Sequence, residues 1–153
     1  MSRPHSPAHV REYIVDILET IPVRDAMRRR FPTVSPETRL SNVFRRLSAL
    51  DLRSIPVVKD EGLLRCVTFE DILRVPRERL SEMAVRGIMR RRFTYVLPTD
   101  FLHTALKRMM TYNVDQLPVL DEVGGKIVGM ITRMDLIRAH DEHVKFIRLG
   151  RRE

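Results

Sequence analysis

The sequence predicts an α/β protein of the α+β type: two β-α-β-β-α repeats related by a pseudo-twofold axis and packed sheet to sheet. Three observations lead there. The chain aligns with itself at a fixed offset, each copy carries an apolar stripe at helical spacing, and two short β-rich runs joined by a turn follow each stripe. At an offset of 62 residues Val23 meets Val85, Arg24 meets Arg86, Met27 meets Met89, Phe31 meets Phe93, Val34 meets Val96, and Pro56-Val57 meets Pro118-Val119. The turns then differ in length, and beyond them the offset is 64: Thr68 meets Thr132, Asp71 meets Asp135 and Arg74 meets Arg138. A period of this size marks two copies of one supersecondary unit. One copy of about 60 residues is marginal alone, so the two are expected to form one domain of two halves.

The elements follow in chain order. His9 to Thr20 carries Val10, Tyr13, Ile14, Ile17 and Leu18 at helical spacing and reads as an amphipathic helix outside the repeats. Thr33-Val34 and Tyr95-Val96 are brief strands. Leu40, Val43, Phe44, Leu47 and Leu50 form the first helical stripe; Leu102, Ala105, Leu106, Met109 and Tyr112 form the second. Thr38 and Asp100 precede the stripes by two residues, where a side-chain oxygen can cap free N–H groups. Ile55–Val58 and Leu63–Thr68 flank an Asp60-Glu61-Gly62 turn, and Leu117–Leu120 and Lys126–Thr132 flank a Gly124-Gly125 turn, so both read as hairpins. Short helices follow from Asp71 to about Arg74 and from Asp135 to about His140, the second extended by Val144 to Leu149. The expected organisation is residues 1–21 as N-terminal helix, 22–75 as first repeat, 76–83 as linker, 84–140 as second repeat and 141–153 as helix extension and tail.

Composition narrows the classes. Apolar residues are 43% and charged residues 31% of the chain, which fits a folded domain and argues against disorder. The net charge of +8 favours anionic partners. Cys66 is the single cysteine, so no intrachain disulfide forms; within an apolar run it reads as a small buried hydrophobe. The N-terminus lacks an apolar signal core, and no stretch is long enough to span a bilayer, so the expected setting is the cytoplasm with no membrane contact. There is no Gly-x-Ser-x-Gly, no glycine-rich phosphate loop and no cysteine pair, which speaks against an enzyme. His140 and His143 flank Asp141-Glu142, but no further ligand is specified; the pair reads as a solvated helix end, with no metal expected. His103 is expected to be exposed.

Both copies share the order Val-x-x-(Ala/Ile)-Met, Val-x-Pro, helix, (Ile/Leu)-Pro-Val and Thr-x-x-Asp-(Ile/Leu). This resembles the CBS domain, named after cystathionine β-synthase, whose tandem form is the CBS pair or Bateman module. The resemblance covers roughly residues 22–75 and 84–140. It implies a stand-alone regulatory binding module without catalytic cofactor. The expected ligand is an adenine nucleotide (AMP, ADP or ATP), with NAD and S-adenosylmethionine as further candidates, held between repeats. It also implies a homodimer and an unidentified regulated protein.

Thr68 and Asp71, and Thr132 and Asp135, fall where a strand runs into a helix. Free N–H groups and a positive dipole end suit a phosphate there, and the Thr hydroxyl can donate once more. An ionised Asp is acceptor-only and suits the two hydroxyls of a ribose. The family pattern places adenine beside Thr33, Val34, Ser54, Ile55 and Pro56 in copy one, and beside Tyr95, Val96, Gln116, Leu117 and Pro118 in copy two, with apolar side chains sandwiching the ring while backbone groups read its edge. The competing reading is that Thr-x-x-Asp is a helix cap that needs no ligand.

The copies differ. Copy two has Arg133 as a phosphate contact and Gly129, which lets a ligand or backbone come close. Copy one has Arg65 in place of that glycine and Glu70, which repels phosphate, with Arg53 as compensation where copy two has Asp115. The Asp135 site is therefore expected to be the better one. The repeated MRRRF clusters, residues 27–31 and 89–93, admit three readings: a solvated, ion-paired face, contact with nucleotide phosphates, or nucleic-acid binding. The expected mechanism is differential affinity for two arrangements of the halves, or of two pairs, read by a partner; the rival is a structural or nucleic-acid adaptor with unoccupied clefts.

Overall fold

The computed structural model describes residues 17–88 and 93–150, so most of the expected N-terminal helix, the tail after 150 and Met89–Arg92 of the second arginine cluster lie outside the described residues. The chain forms two compact units. One takes the described parts of Met1–Arg29, Thr94–Asp121 and Val128–Glu153; the other takes Arg30–Phe93 and Glu122–Ile127. The units do not coincide with the sequence repeats. Residues 23–29, which lead into repeat one, belong with the body of repeat two, and residues 84–88, which lead into repeat two, belong with the body of repeat one.

In the unit around repeat one, the predicted stripe is helix α1 (Leu40–Leu50), with Leu40, Val43 and Leu47 buried. Thr38 is not its cap. The N-cap residue is Arg39, without a side-chain cap, while Thr38 Oγ1 accepts from Ser35 N at 3.1 Å. The first-turn N–H groups of α1 go instead to backbone carbonyls: Leu40 N to Met83 O and Ser41 N to Leu80 O, each 2.9 Å. The helix ends on Asp51 in the left-handed region, φ 52°. Leu52 N then donates back to Leu47 O at 2.9 Å, closing a Schellman-type turn.

Strands β1 (Ser54–Lys59) and β2 (Gly62–Thr68) pair antiparallel with an irregularity at Val57/Val58. Their turn is not built on Gly62, which starts β2 opposite Lys59. Asp60 and Glu61 take the positive φ values, 53° and 66°, as a primed two-residue turn requires. Glu61 is held from outside the hairpin: its carbonyl accepts from Ile127 N at 3.2 Å, and its carboxylate meets Lys126 Nζ at 2.8 Å. Val34 adds a one-residue parallel bridge to Val57. Helix α2 (Phe69–Leu73) follows β2 directly. The core is Val34, Leu40, Val43, Leu47, Ile55, Val57, Val67, Ile72 and Val85, each 5% exposed or less.

The other unit repeats the plan with helix α3 (Leu102–Tyr112), strands β3 (Gln116–Leu120) and β4 (Ile127–Thr132), and helix α4 (Arg133–Gly150). Asp100, expected as the cap of α3, accepts from Leu97 N at 2.8 Å; the helix starts on Phe101, and Leu102 N donates to Ile21 O at 2.9 Å. Asn113 ends α3 at φ 52°, as Asp51 ends α1. Val96 bridges Val119, and β3 pairs with β4. The predicted short helix and its extension are one continuous α4. Leu18, Val23, Val96, Leu102, Ala105, Met109, Leu117, Val119, Ile131 and Leu136 fill this core.

The lead-in segments are bound by the same backbone pattern in both units. Val23 N donates to Asp100 O at 2.7 Å and Arg24 N to Pro98 O at 3.0 Å; Val85 N donates to Thr38 O at 2.9 Å and Arg86 N to Pro36 O at 3.0 Å. Each partner is the 62-residue counterpart of the other.

Candidate functional site

Each unit gathers one set of the sequence-predicted residues at the start of its hairpin. In one unit Val96 N donates to Pro118 O at 3.1 Å and Leu120 N to Val96 O at 3.0 Å, placing Tyr95-Val96 along the start of β3. Arg133 N donates to Asp115 O at 2.9 Å, which brings Gln116-Leu117-Pro118 beside Thr132, Arg133 and Asp135. In the other unit Ser54 faces Thr68 across the β1–β2 ladder. Phe69 N donates to Arg53 O at 2.7 Å, and Val34 N to Pro56 O at 3.0 Å. Thr33, Val34, Arg53, Ser54, Ile55, Pro56, Thr68 and Asp71 thus form a second cluster.

The chemistry within each cluster differs in part from the expectation. Val34, Ile55, Val96 and Leu117 are core residues, 5% exposed or less, so their side chains cannot sandwich a ring. Pro56 and Pro118 are buried as well. A purine there would meet the backbone and the partly exposed Thr33, Tyr95, Ser54 and Gln116 side chains.

The strand-to-helix junctions are both full capping structures. Thr68 N donates to Asp71 Oδ2 at 3.0 Å while Asp71 N donates to Thr68 Oγ1 at 3.1 Å. Thr132 N and Asp135 Oδ2 lie 2.9 Å apart, and Asp135 N and Thr132 Oγ1 3.1 Å apart. With Phe69 N and Arg133 N bound to carbonyls, most first-turn N–H groups serve the fold, so the expected collection of free N–H donors for phosphate is not there. Each Thr hydroxyl accepts from its Asp amide and keeps its own proton to donate outward.

Asp135 is 2% exposed and Asp71 7%. Asp135 is held from both sides: Arg28 Nε lies 3.1 Å and Arg138 Nη1 3.4 Å from Oδ1. Arg28 comes from the first arginine cluster, and its backbone pairs both ways with Met130 at 2.8 and 2.9 Å. Gly129 permits this approach, for a Cβ there would lie 2.9 Å from Arg28 O and 2.8 Å from Met27 Sδ. Of the two partners left open for Gly129, it is the backbone that comes close. Arg29 and Arg30 are exposed.

Arginines were the residues the motifs missed. Arg46 Nη1 donates to Thr33 O at 2.6 Å, and Arg108 Nη1 donates to Tyr95 O. They are 62 apart, as are Thr33 and Tyr95; the self-alignment held the signal. Arg28 had no such local sign, since Asp135 is 107 residues away.

The described residues flanking the two junctions differ. Arg28 and Arg138 pair with Asp135, and the exposed Arg133 begins the helix beside it. Around Asp71, Arg53 faces Glu70 at 3.9 Å, both well exposed, so its charge is partly offset. Phe69, in the place of Arg133, stacks on Phe44 with ring centres 5.4 Å apart.

Other candidates recede. His140, expected at a solvated helix end, is partly buried, and its Nε2 has no hydrogen-bond partner among the described residues. His103, expected to be exposed, is half-buried and faces Glu19 at 3.5 Å. Among the described residues no group of three or more His, Cys, Asp and Glu is placed to hold a metal, and no helix is long and apolar enough to cross a membrane.

Comparison with known proteins points one way. The sequence profile described as the CBS domain matches residues 23–78 and 85–142. The chain is 29% identical over 121 residues to an inosine-5'-monophosphate dehydrogenase of Thermoplasma acidophilum, a span of 78% of this chain but 22% of that enzyme. Among solved structures it superposes on an uncharacterised conserved protein from Pyrococcus horikoshii with a TM-score of 0.73 and 25% identity, covering 86% of this chain and 59% of that one. It superposes on CBSX2, solved in complex with AMP, with a TM-score of 0.70 and 24% identity, covering 82% of this chain and 98% of that one.

Proposed function

This chain belongs to the CBS-domain family, and we propose that it is a regulatory module, not an enzyme, that binds an adenine nucleotide at the Thr132–Asp135 junction. The observation that carries the reading is the charge at that junction. Arg28 and Arg138 hold one buried carboxylate beside a Thr hydroxyl that can donate and a strand start that presents backbone, and the exposed Arg133 begins the helix two residues before it. Such a set suits a nucleoside phosphate, with guanidinium groups on the anion and the sugar toward the Thr-Asp pair. It disfavours a cationic ligand such as S-adenosylmethionine. Fold-level analogy adds support, since CBSX2 of the same fold was solved with AMP.

Glu70, exposed beside the Asp71 cap, would repel a phosphate there, which favours the Asp135 junction. Signalling would follow from unequal affinity of the ligand for two conformations, read by a partner protein. Met134, Ile137, Phe146 and Leu149 are exposed on α4, a surface suited to pairing two copies into a homodimer.

A thermal-shift panel of AMP, ADP, ATP, NAD and S-adenosylmethionine tests the reading, followed by calorimetry on wild type and Arg133→Ala. A saturable rise with the phosphate compounds, weakened by the substitution, is expected. No rise with any compound, together with salt-sensitive binding of DNA or RNA, would favour the adaptor reading that the +8 charge also permits.

A further inference from the structure

We propose that Arg28 is a built-in competitor for the Asp135 carboxylate, which a nucleoside must displace before its ribose can use that group. The inference rests on the nucleotide-binding reading above and adds a residue to it. A carboxylate offers about four acceptor positions. Oδ2 takes Thr132 N–H, and Oδ1 takes both Arg28 and Arg138. The Asp135 side chain is 1% exposed, so a sugar diol cannot reach it while the Arg28 guanidinium lies over it.

The two arginines are not equally movable. Arg138 rides on the same helix as Asp135, one turn along. Arg28 arrives on a separate segment whose backbone is fixed to Met130 and wedged against Gly129. Its side chain, 52% exposed, can swing out without disturbing those backbone bonds. The carboxylate side of the pair is buried, so displacement requires that the sugar hydroxyls take over the contacts Arg28 gives up. Arg28 stands next to the Arg29–Arg30 step, where the chain passes from one compact unit to the other.

The other possible role is a phosphate contact, in which Arg28 stays on Asp135 and offers its outer nitrogens to the anion. Adenosine and AMP separate the two. Calorimetry compares wild type with Arg28→Met, which keeps most of the aliphatic stem. Competition predicts that the variant binds both compounds more tightly, by roughly tenfold if Arg28 covers Asp135 about nine-tenths of the time. Weaker AMP with unchanged adenosine overturns the proposal in favour of phosphate contact. Equal affinities in the two proteins overturn it while leaving the nucleotide reading intact. No binding by either protein overturns both. NMR of the Arg28 Nε–H in the wild type does not depend on the variant folding. Adenosine should move this resonance to the position and exchange rate of a solvated guanidinium; an unmoved signal in the bound protein overturns the proposal.

Discussion

A methyl group added at Gly129 would lie 2.9 Å from the carbonyl oxygen of Arg28, closer than a Cβ can sit against backbone. The contact lets the Met27–Arg28 segment pair with β4, and it sets where the Arg28 side chain begins.

Gly129→Ala should therefore destabilise the protein by about 1–3 kcal/mol, the usual cost of overpacking where the neighbour is backbone. Urea unfolding followed by circular dichroism measures it. Wild-type stability in the variant would mean that the segment is loosely seated.

Asp135→Asn keeps the shape of the cap but removes the charge facing Arg28 and Arg138. The amide oxygen can still accept from Thr132 N–H, so the loss is that of two contacts between a buried carboxylate and half-exposed guanidinium groups. About 1–2 kcal/mol is expected from the same unfolding measurement, with less than about 1 kcal/mol for Arg138→Met. A neutral Asp135→Asn would show that the buried carboxylate draws nothing from its arginines.

Cys66, expected to be buried, is only partly so, yet desolvation pushes its thiol up to about 12 from an ordinary 9.0. At neutral pH it holds no useful thiolate fraction, so iodoacetamide should modify the folded protein far more slowly than the urea-unfolded chain. The folded state also keeps this proton longer than the unfolded one. Its contribution to stability is thus intact below pH 9.0 and falls as pH rises from there toward about 12. Equal labelling of folded and unfolded protein would contradict the burial.

The hydrogen bond and charge of Lys126 hold the Glu61 carboxyl below its ordinary 4.5. A depressed folded-state value means that the pair helps above the ordinary value and is lost as pH falls through the lowered one. The group is fully exposed, so the effect belongs to the turn rather than to global stability. A carboxyl-carbon NMR titration of Glu61 should give a midpoint below 4.5 that returns toward it in Lys126→Met. Identical midpoints in the two proteins would dissolve the pair in solution.

Local pattern and internal repetition made much of the fold legible. The stripes from Leu40 and from Leu102 became α1 and α3 because apolar spacing alone sets which helix face is buried. Thr68 with Asp71, and Thr132 with Asp135, became capping boxes because all four groups lie within one turn. Non-local bonds were hidden. Thr38 and Asp100 have the right chemistry for caps, but carbonyls of Met83 and Ile21, distant in sequence, reach the helix N–H groups first. The sequence places the turn over Asp60-Glu61-Gly62, yet Gly62 already pairs with Lys59, and Asp60 and Glu61 carry the positive φ, with Glu61 also held by Lys126 and Ile127. The same limit governs the candidate site. The strand-start and junction residues of each copy lie close together, whereas the arginines on the Asp135 carboxylate and on the Thr33 and Tyr95 carbonyls come from elsewhere in the chain.

The exchanged lead-in segments carry an evolutionary consequence. Ile21, upstream of the first copy, supplies the carbonyl that receives Leu102 N–H in the second; Met83, ahead of the second copy, serves Leu40 in the first. Excising copy one at its sequence boundary would strip the second core of Val23, and excising copy two would strip the first core of Val85. The duplication is in this sense irreversible: once each half was finished with material from the other, neither could be inherited alone.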